Sequence, residues 1–310
     1  MIGAPERVWP NSDNVNVSGY GRNEAARSSI FRGMMTRTGK SASQADRAKY
    51  FRRLHALRPL VLPNAWDAAS ARIIEGAGAA AIATTSAGIS WSYGCNDGQG
   101  LPREDMLAAI GRIVRAVEVP VTADIESGYG SGTARDVADI ARRLVEMGVA
   151  GVNLEDSPGR RGEILLAPGE HAERICAMRE SARAAGGDLL INARVDVYLA
   201  EAGAPDTRFD AAVQRSNAYL AAGADCAFVP CVIDAETIAA LVKAIDGPLN
   251  VMVTHGAPPV SQLGLLGVAR VSVGPALTQA ALAATRRAAR ELLERGTYDA
   301  LKTADEMDAP

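Results

Sequence analysis

Four carboxylates in this chain of 310 residues stand where β-rich runs end or just beyond them. The run 119–124 (VPVTAD) closes on Asp124-Ile125-Glu126, and the run 150–154 (AGVNL) leads into Glu155-Asp156. Asp97 sits in Asn96-Asp97-Gly98, in the connection after the run 80–85 (AAIATT). A further run, 188–193 (DLLINA), passes into Arg194-Val195-Asp196. Brought to one face, Asp97, Asp124, Glu126 and Glu155 repel one another unless a cation sits among them. Oxygen ligands with few imidazoles point to Mg²⁺, with Mn²⁺ as the alternative, rather than Zn²⁺. Residues i and i+2 of a strand face the same way, so Asp124 and Glu126 are expected to reach inward together. Arg194 adds a planar guanidinium suited to bidentate carboxylate binding. The competing reading, in which single acids cap helices or pair with surface arginines, fits any one of them better than the set.

Other residues carry weaker signals. His255, in Val253-Thr254-His255-Gly256 after the run 248–253, is a candidate acid/base near neutral pH. A loop histidine bonded to a backbone carbonyl explains it equally well. His55 and His171 lie in helical or pre-barrel context and read as surface groups. Trp91 and Tyr93 flank the Asp97 loop and would wall a pocket or simply pack. The GYGSG stretch at 128–132 lacks the Lys-Ser/Thr of a phosphate loop and reads as a flexible turn leading into a helix near Thr133.

The elements that must position these groups alternate along the chain. β-Rich runs fall at 59–63, 80–85, 119–124, 150–154, 188–193, 225–229, 248–253 and 269–273. Helical patterns fall between most of them, at 66–77, 103–116, 133–147, 169–185, 208–222 and 234–245, and a last helix spans about 275–295. Most helices stop at a glycine followed at once by the next strand, as in EGAGAAAI and EMGVAGVN. Eight such strands argue for a closed (β/α)₈ TIM-type barrel over 45–310, which places strand ends and their loops at one catalytic face. Residues 1–44 are rich in Ser, Asn, Gly and Arg without sustained apolar period. They read as a disordered extension, or as an upstream start with the native chain beginning near Met34 or Met35.

Composition excludes several classes. Hydrophobic residues are 48% and aromatics only 5%, which suits helices packed on parallel strands. A net charge of −3 with dispersed basic residues gives no reason to expect nucleic acid as a partner. No apolar run approaches a membrane span. Cys95, Cys176, Cys226 and Cys231 form no CxxC pair, so a reducing cytoplasm is the expected location.

The segments PNAWDAASAR (63–72), TADIESGYG (122–130), GVNLEDS (151–157), INARVD (191–196) and the late PLNVM…GVARVSVGPAL together resemble the isocitrate lyase/phosphoenolpyruvate mutase superfamily over about residues 45–300. The resemblance implies that Asp124 is the direct metal ligand and that Glu126 stands where an Asp is frequent. It implies that Glu155 and Asp97 reach the metal through water, and that Thr85-Ser86-Ala87-Gly88 holds the substrate carboxylate with backbone N–H groups. Arg194 falls on an arginine that binds substrate carboxylate or developing charge. The lyases of this superfamily carry Lys-Arg-Cys-Gly-His in the loop after the fourth strand; here it reads Ser157-Pro158-Gly159-Arg160-Arg161-Gly162-Glu163. Cys176, on the next helix, reads as a packing residue. Arg161 and Glu163 stand roughly where the mutases have Lys and Asn, and Arg161 is a further candidate catalytic residue in a loop expected to act as a lid.

The resemblance therefore implies an enzyme nearer the oxaloacetate decarboxylase, oxaloacetate hydrolase and substituted-malate lyase branch. Such an enzyme cleaves a C–C bond of a small 2-oxo- or 2-hydroxy-carboxylate through a metal-stabilised enolate. The alternatives are P–C chemistry on phosphonopyruvate or phosphoenolpyruvate, and a 2-oxo-acid-binding protein without turnover. The superfamily also forms homo-oligomers, dimers or tetramers, with the last helix packed on or swapped onto a neighbour. The Ala-rich face of 275–293 is compatible with that and with docking on its own barrel.

Overall fold

The computed structural model describes residues 43–306 apart from 57–58 and 159–163. The strands are β1 Leu60–Leu62, β2 Asn64–Ala65, β3 Ile82–Thr84, β4 Val121–Asp124, β5 Gly151–Glu155, β6 Leu190–Arg194, β7 Cys226–Val229, β8 Leu249–Met252 and β9 Arg270–Ser272. All pair in parallel, in the order β1-β9-β8-β7-β6-β5-β4-β3-β2. β1 and β2 are two pieces of one strand interrupted at Pro63, which has no N–H to give a ladder. The first piece pairs with β9 and the second with β3, so the sheet closes on itself through this broken strand. Each of the eight expected β-rich runs holds a strand, and the architecture is the expected (β/α)₈ barrel. Strands β5 and β6 run one residue further than expected, which puts Glu155 and Arg194 at their last positions.

The helices are α1 Gln44–Leu54, α2 Ala68–Gly76, α3 Ser86–Ser92, α4 Arg103–Ala116, α5 Ala134–Glu146, α6 Pro168–Ala184, α7 Arg208–Ala221, α8 Ala235–Ala244, α9 Val260–Leu265 and α10 Ala276–Arg295. The α5 start shows how local sequence sets these boundaries. Thr133 accepts from the Asp136 N–H while the Asp136 side chain accepts from Thr133, a reciprocal cap that starts the helix where expected. Its buried face, Val137, Ile140, Ala141, Leu144 and Val145, follows the helical period. Helices α3 and α9 have 7 and 6 residues, too short for such a period to show in the sequence.

Helix α1 opens at Gln44 under a Ser43–Asp46 cap, so its first residue and its cap fall within the segment assigned to the extension. The rest of that segment lies outside the described residues. Tyr50, Phe51 and Leu54 of α1 pack on Leu60, Leu62, Ala80, Ala81, Ala150 and Leu190, which stand at the N-terminal ends of the strands. The helix thus plugs the barrel floor, and Arg52 anchors it through an ion pair to Asp188 at 2.8 Å and another to Asp225.

This floor overturns one expectation. His55 is buried, with Nδ1 2.9 Å from the Phe51 carbonyl and its ring edge-on to Phe51. His171 of α6 is likewise buried, edge-on to Tyr219 at 4.5 Å. Neither is a surface group. Cys176 moves the other way: it is exposed, with Sγ 3.2 Å from the Ala222 carbonyl, rather than a packing residue. All four cysteines are free. Among the described residues no helix is long and apolar enough to cross a membrane.

The last helix stands apart. Only Thr278 of its 20 residues is buried, and Leu277, Leu282, Leu292 and Leu293 are exposed. It ends at Gly296, whose φ of 65° is the left-handed conformation glycine supplies at a helix stop.

Candidate active site

The C-terminal ends of the strands surround a cavity of about 150 Å³, lined by Asp97, Asp124, Asn153, Arg194, Phe228, Met252 and neighbouring residues of the Asn64, Thr85–Ala87 and Ser272–Pro275 segments. Asp124, the last residue of β4, is held from two sides. Its N–H donates to Thr84 Oγ1 at 2.8 Å, and its Oδ2 accepts from the Ser86 N–H (3.1 Å) and Ser86 Oγ (2.8 Å). Its other oxygen, Oδ1, is buried with no hydrogen-bond partner. A carboxylate oxygen sealed from water and left unpaired is costly unless something positive meets it.

Glu126 does not line the cavity itself but lies close enough to Asp124 and Asp97 for their charges to act on it, and strand alternation is not what brings it there. Its backbone is left-handed (φ 52°), two residues past the end of β4, and Gly128, Tyr129, Gly130 and Gly132 follow with positive φ. The GYGSG stretch is therefore a succession of tight turns that ends at the Thr133 cap. Buried among these turns, Glu126 accepts from Tyr129 Oη at 2.9 Å and from the Gln99 N–H. Burial pushes its carboxyl up to about 7; the Tyr129 bond opposes this, and the charges of Asp124 and Asp97 add to it. Asp97 lies on the solvent side of the cavity, and partial burial, with Asp124 nearby, raises its carboxyl too.

Arg194 ends β6 directly beside Glu155, its register partner on β5. Its Nη1 meets Glu155 Oε2 at 2.7 Å and its Nε donates to Asp196 Oδ1 at 2.6 Å. Burial works against the guanidinium charge, but Glu155, Asp196 and Asp124 outweigh it and hold Arg194 well above its ordinary value. Burial pushes the Glu155 carboxyl up while Arg194 pulls it down. Behind this pair, Asp196 accepts from Ser157 Oγ at 2.6 Å and gives its N–H to Asp156 Oδ1 at 2.8 Å. Asp156 in turn accepts from Tyr219 Oη (2.8 Å) and Arg215 Nη1 (3.0 Å). Arg194 is thus clamped in one orientation by a buried network. Asp196 lies in the turn two residues past the end of β6, so its nearness to Arg194 in the chain, not strand alternation, was the available sequence signal.

The other expected site residues divide. Thr85 caps α3 by accepting from the Gly88 N–H at 3.3 Å, and the Ser86 N–H is spent on Asp124. Ala87 lines the cavity, and its N–H, in the first turn of α3, has no carbonyl acceptor within the helix. Gly88 serves packing: a Cβ there would stand 2.7 Å from Thr85 Cγ2 and collide with Thr278 of α10. His255 is exposed in the turn after β8 and is not among the cavity-lining residues. Trp91 is half-buried, and Tyr93 is exposed, accepting from Arg112 at 3.1 Å. Arg161 and Glu163, with most of the expected lid, lie outside the described residues.

Among the described residues no three Asp, Glu, His or Cys side chains converge into a shared inner shell for a metal. The donor set suits a cation held by one carboxylate directly and by others through water, which is how Mg²⁺ commonly binds. Asp124 Oδ1, the carboxylate oxygen without a partner, would be the direct ligand of such a cation, and Asp97, Glu126 and Glu155 are close enough to feel the Asp124 charge.

A closed parallel barrel with a carboxylate–arginine mouth at its C-terminal face is where barrel enzymes build their active sites, and the comparisons assign this one to the isocitrate lyase/phosphoenolpyruvate mutase superfamily. The sequence comparison gives the narrower assignment: the chain belongs to the phosphoenolpyruvate phosphomutase family, whose model matches residues 51–293. It is 37% identical over 233 residues to an uncharacterized protein of Mycobacterium tuberculosis, covering 75% of this chain and 84% of that one. It is 29% identical to the 2-methylisocitrate lyase of Aeropyrum pernix over 77% of each chain. Among solved structures it resembles oxaloacetate acetylhydrolase in complex with oxalate, with a TM-score of 0.73 and 26% identity over 83% of this chain and 89% of that one. The superfamily so defined contains carbon–carbon lyases, a hydrolase and mutases.

Proposed function

We propose that this protein is a Mg²⁺-dependent lyase-type enzyme that breaks a C–C bond in a small 2-oxo- or 2-hydroxy-carboxylate. The observation that carries the reading is the pairing, in one 150 Å³ cavity, of the unpartnered Asp124 Oδ1 with the clamped Arg194 guanidinium. Mg²⁺, with Mn²⁺ as a substitute, would be held by Asp124 Oδ1 and through water by Asp97, Glu126 and Glu155; when bound it supplies Lewis-acid polarisation of the substrate's 2-oxygen. Ser86 fixes Asp124 so that only Oδ1 faces the ligand. Arg194 binds the substrate carboxylate and offsets the enolate charge that grows as the bond breaks, and its fixed orientation spares reorganisation at that moment. The Ala87 N–H adds a neutral donor at the same mouth. A cavity of this small size is in keeping with a short acid such as oxaloacetate or a substituted malate.

The relatives support this reading through their own activities: 2-methylisocitrate lyase, 2,3-dimethylmalate lyase and an oxaloacetate hydrolase crystallised with oxalate. A second reading, P–C bond chemistry, is favoured by the match to a mutase family model and a mutase structure. Incubation with oxaloacetate, substituted malates, methylisocitrate and phosphonopyruvate in Mg²⁺, followed by product analysis and ³¹P NMR, separates the two. Turnover should appear on a carbon acid and vanish in Asp124→Ala; turnover only on phosphonopyruvate would replace the first reading with the second.

The working form is proposed to be a homo-oligomer. An apolar groove of about 780 Å³ lies between α2 and α10, lined by Trp66, Ile73, Ile74, Leu277 and Ala281 among others. With α10 almost wholly exposed, the matching cover is α10 of a second copy. Sedimentation of the protein and of Leu277→Glu tests this; the variant should fall to a smaller species.

A further inference from the structure

We infer that Asn153 is a substrate-binding donor of this cavity, its amide turned and held by the buried Arg270 at the barrel's core. The inference rests on the 2-oxo-acid reading above and adds to it a contact made by neither a metal ligand nor Arg194. Asn153 on β5 is the register partner of Asp124 and lines the cavity while only 6% exposed. Arg270 Nη2 lies 3.1 Å from Asn153 Oδ1, and Asn192 Nδ2 lies 2.8 Å from the same atom.

A guanidinium has five N–H donors and no acceptor, so the atom it meets can only be the amide oxygen. The orientation of Asn153 is thereby decided by chemistry rather than by a choice between look-alike atoms. Asn192, meeting the same oxygen, must present its own NH₂, which leaves its Oδ1 buried and unpaired. With Oδ1 taking two donors, Asn153 Nδ2 points the opposite way. It makes no hydrogen bond among the described residues and is not one of the atoms sealed from solvent. The other asparagine of the lining contrasts with it: Asn64 is spent on backbone, donating to Thr84 O at 2.9 Å and accepting from the Val273 N–H at 3.0 Å.

Among the described residues Arg270 has no carboxylate within ion-pair distance. It is fully buried, with Nε and Nη1 unpartnered and the Phe51 ring 6.0 Å away. Burial lowers it to about 10, so it is charged at neutral pH. A charged donor on Oδ1 polarises the amide and strengthens its N–H groups as donors. The ligand class this fits is an anionic oxygen, the carboxylate or enolate oxygen of the small acid bound beside Asp124.

Two variants test this, with oxalate plus Mg²⁺ as the probe in titration calorimetry and thermal melting as the check on folding. Asn153→Asp keeps an acceptor for Arg270 and Asn192 but replaces the free donor by an acceptor. Asn153→Ser is neutral and leaves room for water to satisfy Arg270. Loss of one hydrogen bond to a charged ligand corresponds to about a tenfold or greater weakening of oxalate binding. Both variants should show it, and Asn153→Asp should melt no lower than the parent. Parent-like oxalate affinity in Asn153→Ser overturns the inference, and weakening confined to Asn153→Asp does so too, because charge repulsion then explains it. If the parent itself binds no oxalate with Mg²⁺, the site reading fails first and takes this inference with it.

Discussion

Replacing Arg194 by methionine separates its two jobs, holding the site together and meeting the ligand. The side chain is about one-sixth exposed and bonds Glu155 at 2.7 Å and Asp196 at 2.6 Å. Methionine fills similar space but leaves two buried carboxylates without their counter-charge. Breaking a buried pair from one side costs about 3–5 kcal/mol. For a domain of this size that is a fall in melting temperature of roughly 6–20 °C. The cost should depend on pH in a defined direction. Burial already raises the Glu155 carboxyl, and Arg194 is what opposes it. In the variant Glu155 is therefore raised further above its unfolded value, so the folded state holds a proton the unfolded state has lost. Stability is retained at low pH and falls as pH rises through the interval between the two values. Melting measured in a metal chelator should show a defect at pH 8 that shrinks toward pH 5. An equal melting temperature for parent and variant at pH 8, or a defect that grows on acidification, would refute the clamp. Arg194→Lys should recover part of the stability but little of the oxalate affinity, since one ammonium cannot reproduce the fork.

Other consequences follow from particular contacts. Tyr219→Phe removes one bond to the buried Asp156 and should lower stability by about 1–2 kcal/mol in chemical denaturation, with only an indirect effect on ligand binding. An unchanged midpoint would show that Arg215 and the Asp196 N–H secure Asp156 without the tyrosine. Gly88→Ala drives a Cβ into Thr85 and Thr278, so it should loosen α10 and lower both melting temperature and oligomer mass. Parent-like values for both would count against the close approach. Burial lowers His55 to about 3, so the unfolded state takes up a proton that the folded state refuses between about pH 6.5 and 3. His55 thus contributes stability that is lost on acidification through that window, by up to about 1.4 kcal/mol per pH unit. His55→Gln should flatten the acid limb of a melting-temperature profile, and an unchanged limb would contradict the buried neutral ring.

The barrel was legible because its rhythm is written in short-range terms: β-rich runs, Ala-rich helices and glycine stops such as Gly148 and Gly223. Asp124 and Arg194 were legible for the same reason, as charged residues at the ends of apolar runs. What failed was whatever depended on distant packing. His55 reads as polar and therefore exposed, yet α1 folds back beneath the strands and buries it; nothing near residue 55 announces the floor it plugs. Glu126 comes near Asp124 by another route than the expected strand alternation, which ends at Asp124 where a left-handed turn takes over. The carboxylate-binding role expected of Thr85–Gly88 was narrowed, because two of its N–H groups are used by Thr85 and Asp124 themselves. Asn153 and Arg270 carried no local signal at all: an asparagine and an arginine 117 residues apart meet only once the barrel closes.

The proposed metal site centres on Asp124. Oxalate binding to the parent and to Asp124→Asn, measured by calorimetry with Mg²⁺ and with chelator, is the most direct test. The structure predicts binding by the parent only when Mg²⁺ is present, and loss of that binding in Asp124→Asn at an unchanged melting temperature. Oxalate binding that ignores Mg²⁺, or that survives in Asp124→Asn, would contradict a site organised around this carboxylate.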